Sequence, residues 1–191
     1  MCLGVEVNKE KIGNLMIYLA DSLRPLYHTK LIKLLYLIDE AAVKDSGVPV
    51  TWLDYKVWQY GPVSPAIYEI HYKDNCFSEY VGCERTEWGR LIVSKQGFSV
   101  DEFSRYEMEL IEKVTKKYKN INAEDIVGVS HGKNTLWSKI KEENGIEFDS
   151  EIATTTNYSI DFSFLIKDDF IKLDNFLGAK DMLLLKTRYD A

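Results

Sequence analysis

The sequence predicts a helix-dominated α+β fold: a compact helical domain carrying a small antiparallel β element. Three observations point there. Apolar residues recur at helical spacing in successive stretches, each opened by a side chain suited to capping. Strand-like signals are confined to short segments, chiefly between Phe77 and Val93. Hydrophobic residues make up 46% of the chain and aromatics 13%, with only four prolines, which is too apolar a composition for disorder.

The first helix starts at Asn8, whose side chain can cap it. Ile12, Leu15, Met16, Leu19 and Leu23 then fall on one stripe. Arg24-Pro25 ends it, because a residue before proline is pushed out of the helical region. Thr29 is expected to cap a second helix, with Leu31, Leu34, Leu35, Ile38 and Ala42 on its stripe. Ile32, Tyr36 and Leu37 widen that apolar surface, so this helix belongs near the centre of the fold. Lys30, Lys33, Glu40 and Lys44 are assigned to its remaining, polar face, with Glu40 and Lys44 at the favourable i,i+4 spacing. Ser46-Gly47-Val48-Pro49 terminates it.

Val50 to Tyr60 holds Trp52, Tyr55, Val57, Trp58 and Tyr60 and reads as an extended segment or short helix crossing the core. Gly61-Pro62 reads as a turn. Ser64-Pro65 reads as an N-cap followed by proline at the first position of a third, short helix. Phe77–Val81 and Arg90–Ser94 are expected to pair as a hairpin. Ser104 and Glu107 have the spacing of a capping box, opening a helix that turns Leu110, Ile111, Val114 and Tyr118 inward. Asn122 to Asp125 starts another helix, running through Val129, and Asn134-Thr135 starts a further one carrying Trp137 and Ile140 and stopped by Gly145. Ile160, Phe162 and Phe164 alternate like a strand, and Phe170 to Leu185 reads as one or two short helices. The organisation expected is a domain over residues 1–146 with a C-terminal elaboration, 147–191, packed on it.

At 191 residues the chain can bury roughly 70% of its unfolded surface, so its core needs no staple. Lys and Arg number 24 against 30 Asp and Glu, and 24 − 30 gives a net charge of −6. That balance argues against nucleic acid, whose phosphates call for a basic surface, and weakens any reading as a DNA-binding autorepressor. Cys2, Cys76 and Cys83 are odd in number with no close pairing, as expected of reduced thiols in a cytoplasmic protein. Residues 1–6 lack the basic flank and apolar run of a signal peptide, and no stretch reads as a membrane span.

Catalytic signatures are weak. Gly128 to Asn134 imitates a phosphate-binding loop, but has three residues between its glycines where four are needed, and Asn after the lysine where Ser or Thr is needed. His28, His71, His131 and the cysteines match no zinc spacing. No nucleophile elbow or cysteine-protease signature is present. Asp54-Tyr55-Lys56 echoes the end of a metal-dependent nuclease core, yet a two-residue match reads better as a polar pair. His131 is expected to cap backbone carbonyls and pack on an aromatic, fixing the turn between two helices. A metal-dependent hydrolase using His131 or His71 with a carboxylate is the enzymatic alternative. The cluster of Trp52, Trp58 and Tyr60 is assigned to the core, although aromatics also anchor protein interfaces.

Three stretches together resemble one family: Lys30 to Leu37 (KLIKLLYL), Val57 to Tyr68 (VWQYGPVSPAIY), and Val129-Ser130-His131 followed by Trp137. Their order and spacing resemble the Panacea domain of SocA-like antitoxins, a family that also takes in phage-associated GepA-like proteins. The resemblance covers roughly residues 8 to 142. On it, the motif residues are Lys30, Lys33, Tyr36, Trp58, Tyr60, Gly61, Pro62, Pro65, Tyr68, His131 and Trp137. Read physically they are mainly scaffold: Gly61 permits a backbone a side chain would forbid, and the two prolines stiffen the approach to the third helix. Trp58, Tyr60 and Tyr68 are expected to close over Leu31–Leu35. The resemblance implies a bacterial toxin–antitoxin system in which this chain, without catalysis or cofactor, binds a toxin encoded by the adjacent gene. It also implies blocking or, as in the SocA case, delivery to a bacterial protease. The acidic balance suits a basic toxin.

Overall fold

The computed structural model describes residues 7–149 and 153–189; Cys2 and the N-terminal stretch 1–6 lie outside the described residues. Helices dominate, joined by two small antiparallel sheets of two strands each, as the sequence predicts. Among the described residues no helix is long and apolar enough to cross a membrane.

Helix α1, Lys9–Ser22, opens on Asn8, whose Oδ1 accepts from the Lys11 amide at 3.0 Å. The predicted stripe is buried throughout. Helix α2, His28–Ser46, begins one residue before the expected cap: Tyr27 holds the N-cap position and makes no side-chain bond there. The reason lies outside the helix. Tyr27 bridges Leu91 in the second hairpin and Leu26 accepts from the Ile92 amide at 2.9 Å, so the approach to α2 is fixed by strand pairing. Gly47, at φ +91°, ends α2 in the left-handed conformation.

Strands β1, Lys56–Trp58, and β2, Gly61–Val63, form a hairpin with Trp58 opposite Gly61. The turn is therefore Gln59-Tyr60, and Gly61-Pro62 lies in strand rather than in the turn the sequence suggested. Ser64 is the N-cap and Pro65 the first residue of α3, Pro65–Tyr68, which runs into a 3-10 turn over Glu69–His71. Strands β3, Val81–Thr86, and β4, Gly89–Ser94, pair from Val81 opposite Ser94 to Thr86 opposite Gly89. The expected hairpin forms, but its first strand begins where the predicted one was to end, because Phe77 to Tyr80 is spent on turns.

Helix α4, Arg105–Lys117, has the complete capping box: Ser104 Oγ accepts from the Glu107 amide while Glu107 Oε2 accepts from the Ser104 amide at 2.8 Å. Helices α5, Ala123–His131, and α6, Leu136–Glu143, are capped by Asn122 and Thr135. Helix α7, Phe170–Tyr189, is one continuous helix.

The stretch expected to be a strand at Ile160–Phe164 divides in two. Residues up to Ile160 lie antiparallel beside β1, with the Val57 amide donating to Tyr158 O at 2.9 Å and the Ile160 amide to Tyr55 O at 2.7 Å. From Phe162 to Leu165 the chain turns into a 3-10 helix, which seats Phe162 between Tyr36 and Tyr55 at ring distances of 5.5 and 5.7 Å. Helix α2 is the hub: α4, α5, α7, β2 and the Phe162 turn all pack on it.

Candidate functional site

The three motif stretches meet at one place, where the β1–β2 hairpin is held between α2, α5 and α6. Lys33 is the surprise. Its place on the polar face is a misreading, for the side chain is only 2% exposed. That face of α2 is covered by the hairpin and α5. The ammonium donates to the Pro62 carbonyl at 2.9 Å, and burial pushes its pKa down to about 7. From the other side, Trp137 Nε1 donates to the Trp58 carbonyl at 3.0 Å. The hairpin is thus pinned by one polar contact from α2 and one from α6.

Gly61 fits because nothing larger would. Its φ is +95°, and a Cβ there would lie 3.0 Å from Lys33 Nζ and 3.1 Å from His131 Cβ. His131 behaves as its sequence position suggests. Nδ1 donates to the Val127 carbonyl at 2.5 Å, and the ring meets Trp137 edge-on at 5.3 Å. Lys30 donates to the carbonyls of Lys119 and Ile121, both at 2.8 Å, tying α2 to the loop after α4. Tyr36 is buried, its hydroxyl donating to Glu40 Oε1 at 3.2 Å, and Glu40 pairs with Lys44 at 2.9 Å.

The aromatics divide. Trp52 is buried, as expected. Trp58 is half-buried, packs edge-on against Tyr68 at 5.0 Å, and donates from Nε1 to Thr156 O at 3.3 Å. Tyr60 contradicts its core assignment: it caps the hairpin turn and is 67% exposed. Tyr68 is also partly exposed, so the expected closure over Leu31–Leu35 does not occur. A two-residue turn projects its side chains outward, which the aromatic density of this stretch concealed.

Trp58, Tyr60 and Tyr68 instead wall an open groove of about 660 Å³, whose floor includes His28, Ile32 and Lys33. Arg90 and Glu124 stand among its lining residues. The sequence raises His28 only as a metal ligand, not as part of a groove. It is buried, donates from Nε2 to Ile67 O at 3.0 Å, and has its pKa lowered by that burial. Thr154 and Thr155, which close the groove beside β1, were hidden, because their stretch has no apolar period to mark it.

His71 lies apart from the hairpin pins. Its Nδ1 donates to Tyr68 O at 2.6 Å, and its ring packs edge-on to His28 at 5.6 Å. Asp54 and Lys56 pair with each other at 2.9 Å. Among the described residues no three His, Cys, Asp or Glu side chains gather closely enough to hold a metal ion.

Asp39 was also missed. Fully buried on α2, it accepts from the Thr51 amide and the Tyr55 hydroxyl, each at 2.8 Å, and from the Thr51 hydroxyl. Burial outweighs those bonds and raises its pKa to about 6. Its work is to hold the irregular segment before β1 against the central helix.

Comparison with known proteins gives one finding. The family model described as antitoxin SocA-like, Panacea domain, matches residues 31–138, which contain almost all of the motif geometry above. Searches of the curated proteins and of the solved structures return no match.

Proposed function

Because the chain belongs to the antitoxin SocA-like, Panacea domain family, we propose that it neutralises a cognate toxin by binding it directly and without catalysis. The observation that carries this reading is where the polar atoms of the motif go. Lys33, His131 and the Trp137 indole all donate to main-chain carbonyls inside the fold. A reacting substrate would need such groups facing outward and converging on one atom. Spent inside the fold, on the hairpin by Lys33 and Trp137 and on α5 itself by His131, they make a scaffold and leave function to outward surfaces.

Charge supports the choice of partner. A net −6 on a chain of this size favours encounter with a basic protein, since complementary potentials speed association and discourage wrong partners. The toxin is the product of the neighbouring gene, and it is blocked by occupancy or handed to a bacterial protease.

Co-expression tests this. Growth arrested by the neighbouring gene product should be restored by this chain, and the two should co-purify. Restored growth with the toxin protein depleted, in protease-competent but not protease-deficient cells, marks delivery to a protease. Neither rescue nor a complex would sink the reading.

A further inference from the structure

Helix α7 lies outside the family-matched stretch and is held to the domain along one side. Phe176 is buried against Trp52 at a ring distance of 5.2 Å. Lys172 Nζ donates to Lys44 O at 2.8 Å and Asn175 to Ser46 O at 3.0 Å, so the helix sits over the C-terminal end of α2.

The opposite side is the anomaly. Phe170 is 84% exposed, Ile171 76% and Met182 69%, with Leu177 and Leu185 about half exposed. With successive residues turned by about 100°, these five share one outward arc about 140° wide. A helix that is apolar on both sides is expected to be covered on both. Exposed apolar surface of this extent marks an interaction site.

On the same arc Arg188 lies in the last turn, and two exposed carboxylates, Asp174 and Asp181, sit near the middle. Neither forms an ion pair or hydrogen bond among the described residues. They flank Gly178, where an added Cβ would meet nothing within 4 Å. This placement selects the occupant. In a two-fold antiparallel pairing of two copies crossing near Gly178, Asp174 of each would face Asp181 of the other, setting like charges together twice. A protein with basic residues beside an apolar cleft meets the same arc with charge and shape both matched.

We infer that the outward face of α7 is the toxin-docking surface, laid as a helix into an apolar cleft rimmed by Lys or Arg. This rests on the antitoxin reading above and adds which surface makes the contact.

The test uses the full chain and, as probe, the purified product of the neighbouring gene. Two double variants alter only exposed positions: Ile171→Ser with Met182→Ser, and Asp174→Lys with Asp181→Lys. Each should weaken the complex tenfold or more while leaving the circular dichroism melt unchanged. The charge-reversed pair should also lose most of the salt dependence of wild-type binding. A third variant in the groove, Tyr60→Ser with Tyr68→Ser, should bind as wild type does. Wild-type affinity retained in both α7 variants overturns the inference while leaving the antitoxin reading intact. So does a wild-type dimer that Ile171→Ser with Met182→Ser converts to monomer, which gives the face to a second copy. Failure of the wild-type chain to bind the probe at all overturns both.

Discussion

Gly61 shows how much one residue decides. Its left-handed backbone and the closeness of Lys33 Nζ and His131 Cβ act together, since a methyl group would be strained by conformation and crowded by packed neighbours. Gly61→Ala should cost about 1–3 kcal/mol of stability, read from urea unfolding midpoints. Its need for an unusual backbone was legible in the sequence. The place of Lys33 was not. A helical pattern assigns lysine to water because burying an ammonium is costly, and the carbonyl that makes burial tolerable arrives 29 residues later, at Pro62. Tyr60 failed in the opposite direction: an aromatic surrounded by aromatics reads as core until the turn is known to fall on it.

At the level of elements, the caps announced themselves. Asn8, Ser104 and Asn122 open the helices assigned to them, and of the pair Asn134-Thr135 it is Thr135 that caps, because a cap is a local contract between a side chain and an amide a few residues on. Elements fixed from afar were less visible. The start of α2 moved because Tyr27 answers to β4. The Ile160–Phe164 alternation became half a strand partner and half a 3-10 turn, because only the first half has β1 beside it. That turn delivers Phe162 into the ring cluster with Tyr36 and Tyr55. Phe162→Ala should therefore cost about 3–5 kcal/mol, the usual penalty for emptying a packed aromatic site, and calorimetry should show the loss as a lowered melting temperature. The small site elements followed the same division: the hairpin strands were half-read, and the groove they wall was unreadable, since its lining comes from five separate parts of the chain.

For the molecule as a whole, two buried ionisable groups on α2 set how stability responds to pH. Asp39 titrates near 6 in the folded chain, above an ordinary carboxyl, so the stability it lends is complete below about pH 4 and is lost as pH rises through 6. Lys33 titrates near 7, far below an ordinary lysine, so its contribution is complete above about pH 10 and is lost as pH falls through 7. Together they predict a dip in stability between about pH 6 and 7, with a slope for each group approaching 1.4 kcal/mol per pH unit inside its window. Asp39→Asn should flatten the acid side of the dip and Lys33→Met the alkaline side, measured as unfolding free energy against pH. A dip of equal depth in both variants would refute the assignment. The class of fold and the family were legible because both rest on short-range patterns. The division of labour between scaffold and contact surface was not, because it depends on which polar atoms are consumed at long range.

The segment lying along β1 has one more consequence. Val57 and Gln59 give their outward amides to Tyr158 and Thr154, so tail residues outside the family-matched stretch finish the sheet that the matched stretch begins. A chain trimmed to the matched region would keep the motif yet leave those two donors in a row without acceptors, on a sticky rim open to any extended peptide. Trimming of that kind would turn a self-contained protein into one that polymerises through its own raw border.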